Sequence, residues 1–507
     1  MAINFTATDP GETAVRTIQI TPIPARPAGR SGFEVQNLPP EAPYVANTPD
    51  FVAWQAREAS LRAITAYEQI LGPLPVWSGT GKRLLPVVSD IGMDINAYYT
   101  RQSLEFYHYP YKNRIFYSGA SAEIVSHEAG HAILDALRPD LWNAKLLEVA
   151  AFHEGFGDCI ALMTSLSDRA IRVGLLAAAP DLRKANFVET FGEEISAVIK
   201  ANYPTSSGAG PRRLFNKLQW TFPETLPHNG NPGTLLNESH AFGQLVGGVY
   251  YDLIAEIYAM GVTGEQALWN ACAAATKLIC QGVMRAAIQP RFLESWGRTI
   301  LAIDRAEGGG TYETAIRTAF SAHNISISAS GFLAPAMHLS GGKMVAAAQT
   351  AASALPDDAR RRVRNVIGIE ANAKLKSRQI KFGRRAVAEI SSDRAIDLTG
   401  LAEGLIGVVA YAPSVALVGQ EKTGPALLGA VESEAQIASE VRAYVAGLLS
   451  RNSIAFNGRR PPQSNGGPAF PGYNVVTHAV RSRNGKKVLE RIAFACRSCH
   501  DAGSFEF

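Results

Sequence analysis

Ser126-His127-Glu128-Ala129-Gly130-His131 contains the pattern H-E-x-x-H, and the rest of the chain can be placed around it. On a helix, His127 and His131 stand four residues apart and share a face. Two imidazoles at that spacing can grip one Zn²⁺, and Glu128 can reach a metal-activated water as a general base. Ala122-Glu123-Ile124-Val125 before the pattern and Ala132-Ile133-Leu134 after it supply apolar residues for packing. Pro139 cannot continue a helix. The spacing therefore predicts a helix of about four turns that carries the metal pair.

A catalytic zinc takes three protein ligands and keeps one position open. The third ligand is expected from Phe152-His153-Glu154-Gly155-Phe156-Gly157-Asp158, where Glu154 and Asp158 share a face of a second helix. Glu154 is the expected ligand. Asp158 is expected behind a metal-bound histidine, holding its second ring nitrogen and so fixing the tautomer. The gap between the two segments suits a helix, a turn and an antiparallel helix.

H-E-x-x-H followed one helix later by E-x-x-x-D resembles the thermolysin-like zinc metallopeptidases of the glutamate-zincin type. The resemblance covers roughly residues 46–335. It implies an α+β fold of two lobes, a mixed N-terminal lobe over 46–135 and a helical C-terminal lobe over 136–335. Asp94-Ile95-Asn96-Ala97-Tyr98-Tyr99 is similar to the family's edge strand, which takes substrate by strand addition, with Asn96 and Ala97 at substrate-binding positions. Pro49 to Leu71 resembles the N-lobe helix, Leu84 to Val88 a following strand, and Ile115 to Ala120 the approach to the zinc helix. Glu238-Ser239-His240-Ala241-Phe242-Gly243 opens an apolar run, in a form close to the fungalysin group, and the resemblance makes His240 the oxyanion donor. Glu265 to about Asn324 resembles the helical C-lobe. The implied activity is zinc-dependent endopeptidase action on a peptide or protein substrate. His127, His131 and Glu154 would hold Zn²⁺, Glu128 would act as base, and Asn96 and Ala97 would hold an extended chain.

The sequence departs from that family in three places. Trp142 stands about where thermolysin has an oxyanion-binding tyrosine, and an indole offers only one N–H. Either another group, such as Tyr250 or Tyr251, takes that part, or the oxyanion has fewer donors. The acid that normally orients the oxyanion histidine is not at its usual place, where Leu235 stands; Glu238 and Asn237 are nearby. Arg212 and Arg213 are both available for the family's substrate-carbonyl arginine. The family's calcium-binding acidic clusters are not recognisable.

The chain has 507 residues, 47% hydrophobic and 19% charged, with a net charge of +4, which suits a globular protein of two or three domains. So weak a charge does not argue for nucleic acid or an anionic membrane as a partner, and neither is expected. Its most apolar run, Gly404 to Gly419, is short and contains Pro413, so it predicts buried strands rather than a membrane span. Met1 to Thr6 lacks a basic and apolar leader, and the stretch before His127 leaves no room for the family's prodomain. A cytoplasmic or non-classically exported protein is expected ahead of a secreted one. Cys159, Cys272 and Cys280 lie in apolar helical contexts and read as buried small hydrophobes.

Residues 1–45 are proline-rich and read as an extended arm. Residues 203–237 read as a long loop bordering the cleft. Residues 336–507 read as a separate α+β extension that could bind a partner, cover the cleft or present its tail to another protein. Helices are expected over Met344 to Leu355, Asp357 to Ile369 and Glu432 to Leu449, and a type I′ hairpin at Asn484-Gly485. Cys496-Arg497-Ser498-Cys499-His500 matches a c-type haem pattern. A second zinc site, a redox thiol pair or an unliganded pair remain open beside it. The competing view of the whole is a zinc-bearing binding or effector protein with weak or specialised proteolysis.

Overall fold

The computed structural model describes residues 2–496 except 13, 205, 207, 329–332, 340–354, 356, 423 and 457–474. It is a mixed α+β protein. Helix α1 (Pro49–Leu71) starts at Thr48, whose hydroxyl accepts from the Phe51 amide at 3.4 Å, with Pro49 in the first turn. It ends at Gly72, whose φ of +82° few other residues adopt. Its buried face, including Phe51, Leu61, Ile64 and Tyr67, packs on a five-stranded sheet and on the zinc-motif helix.

That sheet runs in the order Gly32–Val35, Leu84–Val88, Leu104–Phe106, Ala97–Tyr99 and Phe494–Ala495. The first two pairings are parallel and the last two antiparallel. Two expectations change here. Residues 1–45 are not an arm laid on the body: Gly32–Val35 is a strand of this sheet, and Ile3–Phe5 pairs with Ile18–Ile20. Residues 336–507 are not a separate extension: Phe494–Ala495 completes the same sheet, and one continuous apolar core runs from Phe5 to Cys496.

Beyond the sheet the chain becomes helical through α2 (Ala122–Leu137), α3 (Leu147–Ser167), α4 (Arg169–Ala178), α5 (Glu193–Asn202), α6 (Ser239–Ala259), α7 (Glu265–Arg285), α8 (Phe292–Glu307) and α9 (Glu313–Ala322). Helix α3 is buried along its length, between α2 on one side and α6 on the other. Glycines permit this. A Cβ at Gly130 of α2 would sit 2.9 Å from the Gly157 Cα of α3, and one at Gly155 would sit 2.4 Å from the Gly243 carbonyl oxygen of α6. No described helix is long and apolar enough to cross a membrane.

The C-terminal part holds α10 (Asp357–Val366), α11 (Glu434–Ser450) and a mixed sheet led by the long antiparallel pair Arg385–Asp397 and Val408–Glu421. Apolar residues 404–419 lie largely in that second strand, as expected of buried strands. Asn484 and Gly485 have φ of 49° and 75°, the left-handed pair a type I′ turn requires. Met344 to Leu355 lies almost wholly outside the described residues, as do Cys499 and His500.

Candidate metal and peptide site

Helix α2 is capped by Ser121, whose hydroxyl accepts from the Ile124 amide at 3.3 Å. Its next turns aim His127 and His131 at α3, where Glu154 meets them. All three side chains are buried. Glu154 Oε2 lies 3.4 Å from His127 Nε2 and 3.6 Å from His131 Nε2. None of these three atoms has a hydrogen-bond partner. Ligand atoms each about 2.0–2.1 Å from a tetrahedral zinc stand about 3.3–3.4 Å from one another. The spacing therefore fits a divalent cation between them. Three buried polar atoms that converge without partners would otherwise carry a desolvation penalty.

Asp158 stands where the E-x-x-x-D spacing places it. His127 Nδ1 donates to its Oδ1 at 2.8 Å, which leaves Nε2 facing Glu154. Arg212 closes on the same carboxylate through Nε at 2.9 Å and Nη2 at 2.8 Å. Burial alone would raise the Asp158 pKa, but Arg212 and His127 outweigh it and hold it at about 2. His131 has no such carboxylate behind it, and burial lowers its pKa to about 4. Glu128, wholly buried, has two unpartnered carboxylate oxygens, and burial raises it to about 8.

His240 lies in the first turn of α6. Glu238 caps that helix, accepting from the Ala241 amide at 2.8 Å and from His240 Nδ1 at 2.7 Å. Glu238, one of the two residues the sequence offered near Leu235, thus holds the orientation of the His240 ring. His240 Nε2 lies 3.2 Å from Glu154 Oε2. Burial favours a neutral ring, but Glu154 and Glu238 outweigh it and raise the His240 pKa to about 10.

Neither tyrosine expected to replace the missing hydroxyl reaches the site. Tyr250 bonds Thr276 Oγ1 at 2.6 Å and Tyr251 donates to the Leu182 carbonyl at 2.9 Å. Both lie on the parts of α6 that pack into the core. Trp142 fills the wall of the cleft, edge-on to Tyr99 at 5.7 Å and to Phe494 at 5.4 Å.

Asn96 and Ala97 lie where the strand begins. Asn96 Oδ1 accepts from the Ala97 amide at 2.9 Å, and its Nδ2 donates to Tyr98 Oη at 3.2 Å. The expected edge strand, Ala97–Tyr99, is covered. Phe494 pairs with Tyr99 and Ala495 with Tyr98. The Cys496 amide donates to the Ala97 carbonyl at 2.9 Å. Arg212 Nη1 donates to the Cys496 carbonyl at 3.0 Å, which distinguishes it from Arg213, whose guanidinium pairs with Glu189. His240 Nε2 donates to the Ala495 carbonyl at 2.7 Å. Phe494 stacks on His131 and His153 at centroid distances of 4.7 and 4.2 Å.

Sequence reading missed the place of Cys496. It saw the residue only within C-x-x-C-H, whereas its sulfur lies among His127 and Glu128, with ligand atoms within 4.8 Å of one another. Cys159, Cys272 and Cys280 are buried and unpaired, as expected. It also missed a second buried group, Asp9, Glu123 and Glu193, gathered from three distant stretches. Burial raises all three pKa values, that of Glu193 to about 6. No known family model matches this chain, and no curated protein matches it in sequence.

Proposed function

We propose that the chain is a zinc-dependent endopeptidase with a two-lobed, thermolysin-like core. The observation that carries this reading is the unpartnered convergence of His127 Nε2, His131 Nε2 and Glu154 Oε2 beside the free carboxylate of Glu128. Zn²⁺ held by those three residues would supply Lewis-acid polarisation and a lowered water pKa. The other work falls to the chain. Glu128 takes a proton from the attacking water and passes it to the leaving amine. His240, held by Glu238, donates to the oxygen that gains charge in the tetrahedral state. Asp158 and Arg212 fix the His127 ring. The strand beginning at Ala97 and the Arg212 guanidinium hold an extended peptide by its backbone, which makes the site tolerant of side-chain identity.

The test is metal-dependent cleavage of an unstructured protein such as casein. The purified chain should contain close to one zinc, lose cleavage on chelation and regain it on zinc addition. Bound zinc with no cleavage under any condition would leave the binding or effector reading instead.

A further inference from the structure

The peptide groups that surround the site belong to the chain itself. Phe494-Ala495-Cys496 lies extended and antiparallel to Ala97–Tyr99. Three groups expected to contact a substrate, the Ala97 carbonyl and the Arg212 and His240 side chains, have partners in this segment. The Ala97 carbonyl accepts from the Cys496 amide at 2.9 Å. The Cys496 carbonyl accepts from Arg212 at 3.0 Å. The Ala495 carbonyl accepts from His240 Nε2, the oxyanion donor, at 2.7 Å. Donors for one peptide bond thus stand on both sides of it: His240 for its carbonyl, Arg212 for the next one. The Cys496 side chain reaches His127 and Glu128. The space left beside the segment, bordered by Phe191, Arg212, His240 and Gln244, is about 40 Å³ and admits a few waters but no second peptide.

We infer that the Ala495–Cys496 bond is the first substrate of this site, hydrolysed by the same chain that carries it. The inference rests on the peptidase reading and names its substrate. One water is consumed. Its oxygen adds to the Ala495 carbonyl carbon, and its two protons pass in turn through Glu128 to the Cys496 nitrogen as the C–N bond breaks. Ala495 becomes a C-terminal carboxylate and Cys496 an N-terminal ammonium. The bonds to Ala97 and Arg212 leave with the released piece, so that side of the cleft opens to other peptides.

Two measurements on the full chain test this. Intact mass of the zinc-loaded wild type, followed over time, should show a product ending at Ala495 and a fragment starting at Cys496. The rate should be unchanged over a tenfold dilution, and Glu128→Gln should stay whole. Hydrogen exchange on Glu128→Gln should show a protected Cys496 amide. A tail that stays whole in the zinc-loaded wild type overturns the inference. If casein is cut in the same tube, the peptidase reading survives and the segment leaves the cleft without being cut; if casein is also untouched, that reading falls with it. Free exchange of the Cys496 amide in the folded variant overturns the inference independently of activity.

Discussion

His240 and Ala495 stand 255 residues apart in sequence and are joined by a 2.7 Å hydrogen bond, Nε2 to carbonyl oxygen. Glu238 accepts from the other ring nitrogen at 2.7 Å. Both ring nitrogens face acceptors, so both carry protons and the ring is a cation. An imidazolium aimed at a peptide carbonyl is suited to an oxygen that gains charge during reaction. The first prediction follows directly. His240→Ala should lower kcat about 10²- to 10³-fold with little change in KM, the loss typical of one oxyanion donor. Steady-state kinetics on a short peptide check this; an equal rise in KM at constant kcat would place His240 in ground-state binding instead.

Asp158→Asn should weaken metal binding about 10- to 100-fold by releasing the His127 ring. It also leaves the Arg212 guanidinium without its buried partner, at a cost of about 3–5 kcal/mol in stability. Competition with a chromogenic chelator measures the first effect and denaturant unfolding of the metal-free protein the second. Unchanged affinity would remove Asp158 from the metal's support.

Gly157→Ala should abolish metal binding although no ligand is replaced. Its Cβ would lie 2.6 Å from His127 Nδ1 and 2.7 Å from Cε1, and a buried ring between packed helices cannot yield that distance. Gly174→Ala, with nothing within 4 Å of the new methyl, is the control. Zinc content after dialysis separates the two variants.

These glycines show what was legible in the sequence. The candidate site residues of α2 and α3 follow from i,i+4 spacing within single helices, so His127, His131, Glu154 and Asp158 could be placed without a fold. The close approach of the helices is also encoded locally, in Gly130 and Gly157. Arg212 and Cys496 could not be placed. Arg212 reaches Asp158 across 54 residues and Cys496 across 284, out of a stretch with no helical or strand period. The strands of residues 1–45 are three or four residues long, too short for an alternating pattern to appear. The tail strand Phe494–Ala495 has two residues, and only its register against Ala97–Tyr99 gives it meaning.

Lys145 gives a pH prediction away from the metal. It is 2% exposed, and its Nζ donates to the Asn143 carbonyl at 2.8 Å. Burial, reinforced by Arg491, lowers its pKa from 10.5 to about 7. Between those values the unfolded chain holds a proton that the folded chain has released. Stability therefore rises with pH from about 7 to about 10 through this group, by up to a few kcal/mol. Lys145→Met should be more stable than wild type at pH 7, and its advantage should shrink toward pH 10. Urea unfolding at both pH values checks this; a constant difference would mean that Lys145 stays charged when folded.

The most direct test of the whole account is casein hydrolysis by zinc-loaded wild type and Glu128→Gln, with zinc measured on both. The account predicts equal zinc near one per chain, cleavage by wild type and a loss of about 10²- to 10⁴-fold in the variant, the range expected when a general base is removed. Equal cleavage by the two proteins, or zinc lost from His127→Ala and wild type alike, would contradict it.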